Sequence, residues 1–200
     1  MRRVLSVICA VILGCVSLSA QTTATEWIAK LNTSLGSCYA FNISVVASGD
    51  SFSGYYMVEG DGYYLTLGVM EVYSDGKLRY EINNERKEVT EDRVNLKAVD
   101  LLTNPTRAFS FVDKEFTVTI AEKLSQGVVL RLVPRDASMG ISDILLTLSS
   151  VGGRVVPTKI VYRYDGDSVA ITLSPLGVSD KTLPRWNKES YRAYDIVSFL

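Results

Sequence analysis

Hydrophobic and polar residues alternate in short runs along most of the chain, and the pattern is densest between Gly54 and Val89. The runs are rich in Tyr, Val, Leu and Ile, residues that favour extended backbone on a half-buried surface. Asp75-Gly76 predicts a tight hairpin, because a type I′ turn needs positive φ at both central residues. Asn83-Asn84 tolerates left-handed backbone for a related reason. The stretch therefore predicts an antiparallel meander.

A helix of about three turns is predicted ahead of the meander, at the start of the folded domain. Thr23 and Glu26 have the spacing of a capping box, and Gly36 is a suitable C-terminal stop. Apolar residues recur between them at helical spacing: Trp27, Ile28, Leu31 and Leu35.

A regular strand pattern follows this helix over residues 37–47. One face of that strand has Tyr39, Phe41, Ile43 and Val45. After the meander, further strands are predicted at residues 115–122, 127–134, 141–149, 154–164, 168–174 and 193–199. About ten strands, nearly all joined by hairpins, predict one large antiparallel sheet in a single domain, and a sheet of that size tends to curl or close.

The strand pattern is interrupted once, between Val94 and Phe109. Residues 94–102 place apolar side chains on one stripe of a short helix, which Asn104-Pro105 would end. This segment is either a surface connector or a movable lid over an apolar space, and the spacing alone favours neither.

The amino terminus has the three parts of a secretory signal peptide. Arg2-Arg3 precedes an apolar run over residues 4–13, and Ser19-Ala20 is a cleavage site that would leave residues 21–200 as the mature domain. A second interpretation is open, because residues 12–15 (ILGC) resemble a lipobox in which Cys15 would be acylated. The first predicts a soluble secreted chain and the second a lipid-anchored one.

The remaining composition excludes several classes of function. The chain has 200 residues, a formal net charge of −1 and no histidine. Catalytic triads and the usual zinc sites therefore lack their key residue, no phosphate-binding glycine motif is present, and nothing indicates nucleic-acid binding. Acidic pairs such as Glu88/Glu91 and Asp165/Asp167 lie beside turns, where solvated acids are common. We expect no enzyme, no metal and no cofactor, and Cys38 is interpreted as a small buried residue.

The order of these segments resembles the LolA-like lipoprotein-carrier family of the bacterial periplasm. The resemblance rests on segments spread over the mature chain: Cys38-Tyr39-Ala40-Phe41, Gly54, residues 73–77 (YSDGK) with Tyr80, Glu88-Val89, residues 130–134 (LRLVP), 144–146 (ILL), 157–160 (PTKI), Trp186-Asn187 and 194–197 (YDIV). In one respect the sequence differs from the family. Residues 58–62 (VEGDG) lack the basic residue and proline that follow the second strand in well-studied carriers, where the arginine helps to hold the lid shut.

The resemblance implies a mainly β fold with a few helices, an incompletely closed antiparallel barrel capped by a helical lid. Family members hold the acyl chains of lipoproteins in the cavity and move them from an inner-membrane donor complex to an outer-membrane acceptor. It also implies that residues 94–109 form the lid and that the chain acts as a monomer. The alternative is an envelope lipid-binding interaction module, a sensor or an anchored acceptor, that does not transport.

Candidate lipid-contacting residues follow from the strand alternation and the lid assignment. The proposed wall consists of Phe41, Val58, Leu65, Tyr80, Leu146 and Ile160, and the proposed lid contacts are Leu96, Val99 and Leu102. An error of one residue in strand parity would move a wall residue to the opposite face.

Overall fold

A computed structural model describes residues 22–98, 100–107, 109, 112–177 and 182–200. Its helices are α1 (Ala24–Leu35) and α2 (Val112–Glu115), with short 3₁₀ turns at Pro105–Arg107, Ala137–Met139 and Lys188–Tyr191. Its strands are β1 (Cys38–Ala47), β2 (Asp50–Glu59), β3 (Gly62–Leu67), β4 (Met70–Ser74), β5 (Leu78–Asn83), β6 (Glu88–Arg93), β7 (Phe116–Leu124), β8 (Gly127–Pro134), β9 (Asp143–Val151), β10 (Arg154–Arg163), β11 (Ser168–Leu176) and β12 (Asp195–Ser198). The predicted signal peptide and Cys15 lie outside the described residues.

Helix α1 forms as the sequence predicts. The Thr23 hydroxyl accepts from the Glu26 amide, and the Glu26 carboxylate accepts from the Thr23 amide at 2.8 Å, which completes the capping box. Ile28, Leu31 and Leu35 are buried on one face, and the helix lies against β10 and β7. The helix thus covers one half of the sheet.

The described strands form one open sheet in the order β12-β6-β5-β4-β3-β2-β1-β11-β10-β9-β8-β7. Twelve strands form where about ten were predicted. Every neighbouring pair is antiparallel except β12, which pairs in parallel with β6 at the edge of the sheet. That pairing was not predicted, because the last strand returns to β6 from about 100 residues away in the sequence.

One apolar core shows how the sheet curves. Side chains from β1 to β4 meet side chains from β7 to β11 and α1 in a single buried cluster, so the sheet wraps around them. We call this side of the sheet the inner face and the other the outer face. Gly54 permits a close approach of β2 to β3, since a Cβ there would lie 1.9 Å from the Thr66 carbonyl oxygen.

The turn conformation predicted at Asp75-Gly76 is wrong in detail. The hairpin at Asp75-Gly76 forms, but only Gly76 has positive φ, and the Asp75 carboxylate accepts from the amides of Lys77 and Leu78 at 2.8 Å. An Asx turn therefore replaces the type I′ turn. In the next hairpin Lys87, rather than Asn83 or Asn84, has the left-handed backbone, with φ of 52°.

The helix predicted over residues 94–102 is also wrong, because the described part of this stretch consists of turns. The Asn95 side chain accepts from the Lys97 amide, and the Asp100 side chain accepts from the amides of Leu102 and Thr103. Such local side-chain bonds offer the backbone an alternative to helical hydrogen bonds. We call residues 94–115 the lid segment, of which 99, 108, 110 and 111 are not described.

Candidate functional site

The inner face contains five of the six predicted wall residues. Phe41, Val58, Leu65, Leu146 and Ile160 all belong to the inner core and are almost fully buried. They come from five different strands, so they line the curved wall from one half of the sheet to the other. Whether they contact a lipid stays a prediction.

Tyr80 lies on the outer face instead. Its ring stacks on Trp186, with ring centroids 4.5 Å apart. The strand register places Arg79 and Glu81 on the inner face and Tyr80 and Ile82 on the outer face. The parity assumed for β5 was therefore off by one residue, because the apolar side of the sheet changes face at this strand.

The three predicted lid contacts have different positions. Leu102 packs against the inner core, whereas Leu96 is 66% exposed in a turn. Val99 lies outside the described residues. The structure adds Leu101, Phe109 and Val112, which are buried in the inner core from the lid segment.

Three tyrosines of the wall hold the backbone of the lid segment. The hydroxyls of Tyr39 and Tyr63 donate to the carbonyls of Pro105 and Thr103, each at 3.4 Å. The Leu101 amide donates to the Tyr162 hydroxyl at 2.9 Å in a buried contact. The first two bonds are long for a hydroxyl donor and the third has ordinary length. Backbone hydrogen bonds of 2.9 Å attach the two ends of the lid segment, from Val94 to Lys77 and from Arg135 to Glu115. Between these ends, the described contacts with the wall are mostly apolar packing and one hydrogen bond of ordinary length.

Burial alters the chemistry of these phenols. Loss of solvent raises the pKa of Tyr39 to about 12 and that of Tyr162 well above its ordinary value. All the inner-face phenols are therefore neutral at physiological pH, and they act as hydrogen-bonding groups rather than as acids or nucleophiles.

The lid segment is also organised by its own polar contacts. Asn104 is buried, and its side-chain amide donates to the Asn95 carbonyl at 3.1 Å. Arg107 binds the Glu115 carboxylate at 2.5 Å and the Leu96 carbonyl. Arginine therefore has a role inside the lid segment, although not at the position where the resembled family has one.

An apolar opening of about 440 Å³ lies beside the end of α1. Strands β10 and β11 pair only from Lys159 to Arg163, so Arg154–Thr158 separates from the end of β11. We call the gap between residues 154–158 and 173–177 the notch. Its lining includes Leu35, Tyr39, Phe41, Val156 and Leu176. Residues from both faces of β1 contribute, so the notch connects the outer surface with the edge of the inner core.

A second opening of about 410 Å³ lies on the other side of Leu35 and Tyr39. Its lining includes Val58 from the wall and Thr106 and Phe109 from the lid segment. The two openings share Leu35 and Tyr39, so a movement of α1 or of the lid segment would join them.

The outer face of β2 to β5 has a second cover, the C-terminal segment (residues 182–194). Leu183 is buried with Ala40 and Met57, and Trp186 stacks between Tyr80 and Tyr191. Four rings of the sheet contribute to this surface: Tyr55, Tyr64, Tyr73 and Tyr80.

Glu71 binds the C-terminal segment to the sheet. One of its oxygens accepts from the hydroxyls of Tyr64, Tyr73 and Tyr191 at 3.0–3.2 Å, and the other accepts from the Asn84 amide at 2.7 Å. Burial alone would raise the pKa of Glu71, but these hydrogen bonds outweigh it and lower the pKa. The carboxylate is therefore ionised and fixed in place.

The three tyrosines that bind the lid segment were not predicted to be functional, and of the outer-face tyrosines only Tyr80 was. Alternation placed Tyr39 on the apolar face of β1, and a tyrosine on a buried face signals a hydroxyl that needs a partner. The same signal is present at Tyr56, Tyr63 and Tyr162. Nothing in a single sequence indicates that the partners lie in the lid segment.

Three further observations concern metal ligands, membrane spans and the cysteine of the described residues. No group of three acidic or cysteine side chains there could hold a metal ion. Within the same residues, no helix is both long enough and apolar enough to cross a bilayer. Burial, and then the charge of Glu59, raises the pKa of the Cys38 thiol, which makes it less reactive.

Comparisons with known proteins rest on structure alone. No protein-family model matches this sequence, and no curated protein matches it. An uncharacterized conserved protein from Thermus thermophilus is 9% identical, with 88% of this chain and 98% of that chain covered and a TM-score of 0.54. This likeness shows a shared fold over nearly the whole of both chains, and nothing about activity.

Two further solved structures are similar at lower scores. A LolA superfamily protein from Nitrosomonas europaea is 11% identical, covering 86% of this chain and 98% of that chain, with a TM-score of 0.39. An outer membrane lipoprotein-sorting protein domain from Vibrio parahaemolyticus is 13% identical, covering 84% and 96%, with a TM-score of 0.43. Likeness at this level carries no argument about the family or the function of this chain.

Proposed function

We propose that this protein is a carrier that encloses the acyl chains of lipoproteins or related lipids in its inner core and moves them toward the outer membrane. One observation carries the proposal. A curved apolar wall is covered by a loosely bonded lid segment and is reached through an apolar notch. The family resemblance in the sequence supports the same function.

The size of the hydrophobic effect explains why a carrier needs such an enclosure. Each methylene group taken out of water contributes about 0.8 kcal/mol, so a chain of about sixteen carbons represents on the order of 12 kcal/mol. Ligand cavities commonly measure roughly 300–1,000 Å³. Each of the two openings, at about 410 and 440 Å³, falls in that range before the lid segment moves.

Release needs a cover that can open at modest cost. The lid segment has few regular hydrogen bonds and contributes Leu101, Phe109 and Val112 to the core. An acyl chain that displaced these side chains would replace one set of apolar contacts by another. Capture and release can therefore be close to balanced, as transfer between two membranes requires.

The proposed place of action is the periplasm, where a donor complex at the inner membrane and an acceptor at the outer membrane would exchange the cargo. This rests on the predicted leader and on the resemblance. We propose a binding protein rather than an enzyme, since the buried inner core presents neutral phenols and apolar side chains.

Binding of a synthetic diacylated lipopeptide with a pyrene-labelled chain tests the proposal. Val156→Asp places a charge in the notch and should weaken binding on the order of tenfold or more, because the apolar ligand would have to desolvate a carboxylate. Val133→Asp makes the same change on an exposed position of β8 and should bind like the wild type. Absence of binding by the wild-type protein would refute the carrier function.

The edge strand β12 favours a second candidate, a non-transporting interaction module. It occupies the end of the sheet, and Ile196, Val197, Phe199 and Leu200 are exposed there. A partner strand could add to such an edge. If Val197→Lys abolished capture of an envelope protein while lipopeptide binding was unchanged, the protein would have this function as well as the first. If Val197→Lys changed neither capture nor lipopeptide binding, this second function would be excluded.

A further inference from the structure

Phenolic hydroxyls from three strands converge beneath the lid segment. Tyr39 on β1 and Tyr56 on β2 contact each other edge to face, with ring centroids 5.9 Å apart. Tyr162 on β10 is near enough to act on Tyr56 electrostatically, and its hydroxyl accepts from the Leu101 amide. Two of these hydroxyls bind the lid backbone directly, so the group lies at the boundary between wall and lid.

Tyr56 differs from the other two. Its side chain is 0% exposed and stacks on Phe41, with centroids 5.6 Å apart and planes 14° apart. Its hydroxyl lies near that of Tyr39 but makes no hydrogen bond of acceptable geometry among the described residues, and burial, Tyr39 and Tyr162 raise its pKa well above the ordinary value. Buried hydroxyls are nearly always paired in native proteins. A phenylalanine would make the same ring contacts without an unpaired donor.

The Tyr56 hydroxyl, which has no partner while the lid segment covers the wall, can find an acceptor when a lipid is bound. The acceptors that the lid segment offers to Tyr39 and Tyr63 are neutral carbonyl oxygens. When the lid segment moves aside, these two hydroxyls and that of Tyr56 become donors at the wall. The matching acceptor at the head of an acyl chain is the carbonyl of an ester or an amide.

We infer that Tyr56 selects ester- or amide-linked acyl chains, by donating its hydroxyl hydrogen to the carbonyl at the head of the chain when the lid segment is displaced. This inference rests on the proposed function and names its ligand class.

A matched pair of lipids tests the inference. Dioleoylglycerol has two ester carbonyls, whereas the dioleyl glycerol diether has the same chains and no carbonyl. In displacement of the pyrene lipopeptide, the wild-type protein should prefer the ester by about three- to tenfold, the value of one to two neutral hydrogen bonds.

Tyr56→Phe should reduce that preference to less than about twofold and leave the affinity for the diether unchanged. Tyr80→Phe removes a hydroxyl from the outer face and should keep the full preference. The unliganded Tyr56→Phe protein should melt at the same temperature as the wild type or higher, because it loses an unpaired buried donor.

Five results would overturn the inference. Equal binding of both lipids by the wild type would remove the selectivity and leave the carrier function intact. If the preference for the ester survived in Tyr56→Phe, another group would be responsible for it. If unliganded Tyr56→Phe melted at a lower temperature than the wild type, the Tyr56 hydroxyl would have a structural role instead. If neither lipid displaced the lipopeptide from a protein that binds it, the glycerolipid class would be excluded; if the lipopeptide itself did not bind, the proposed function would fail with the inference.

Discussion

The two faces of the sheet are each covered by an irregular stretch of chain, but the covers are attached differently. On the inner face the lid segment is held by two 3.4 Å hydrogen bonds, by one from the Leu101 amide to Tyr162, and by apolar side chains. On the outer face the C-terminal segment has stacked rings and an ionised carboxylate that accepts three phenols and an amide. The contacts of the lid segment suit a cover that opens reversibly, and those of the C-terminal segment suit a cover that stays in place.

The difference follows from what each cover touches. Hydrogen bonds to a charged acceptor are roughly twice as strong as those between neutral groups, and Glu71 has several of them. Aromatic pairs add about 0.5–1.5 kcal/mol each beyond the area that they bury. The described side-chain hydrogen bonds between the wall and the lid segment join neutral groups, and the Arg107–Glu115 ion pair lies within the segment. If this comparison is correct, perturbations of the outer cover should change global stability, and those of the inner cover should change local opening.

The largest expected effect is in the outer cover, at Leu183. This side chain is 1% exposed, so Leu183→Ala should lower the free energy of unfolding by about 2–5 kcal/mol through lost burial and a cavity. Denaturant titration measures the loss. Leu96→Ala in the lid segment removes a residue that is 66% exposed and should cost less than about 0.5 kcal/mol. Equal losses in the two variants would contradict the comparison.

A smaller effect is expected from Tyr162→Phe, which removes the wall hydroxyl that holds the inner cover. The Leu101 amide would lose its buried acceptor, at a cost of about 1–3 kcal/mol. Because the loss is local, amide exchange at Leu101 and its neighbours should accelerate while β8 stays protected. Tyr63→Phe removes one of the long bonds and should accelerate exchange much less. Unchanged exchange at Leu101 would mean that the lid segment is held by other contacts.

The smallest expected effect is a difference in acid stability that originates at Glu71. Its folded-state pKa lies below the ordinary value of 4.5, so its contribution is complete above about pH 4.5 and is lost as the pH falls through the folded-state pKa. Glu71→Gln should be less stable than the wild type at neutral pH, and the gap should narrow on acidification. Urea midpoints at a series of pH values measure it. A gap that is constant with pH would show that the charge contributes nothing.

Local signals were sufficient for much of the fold. The capping box and apolar spacing predicted α1, and strict alternation predicted β1 and the limits of β8. An open curved sheet followed from the number of strands and from the family resemblance. These features depend on residues that are neighbours in the sequence, so a single sequence contains what is needed.

Features that depend on distant partners were not predictable. The parity of β5 was misjudged because Tyr80 is covered by Trp186, more than 100 residues later in the chain. The helix predicted at residues 94–102 was wrong because Asn95 and Asp100 bind nearby amides with their side chains. The unpaired hydroxyl of Tyr56 appears only when its surroundings are complete.

The most direct test of the carrier function is native mass spectrometry of the protein purified from its own cell envelope, followed by lipid extraction. We expect a bound species that has ester- or amide-linked acyl chains. The Val133→Asp variant should retain this species, and the Val156→Asp variant should lose it. A mass that equals the polypeptide alone under gentle conditions, together with no uptake of added lipopeptide, would contradict it.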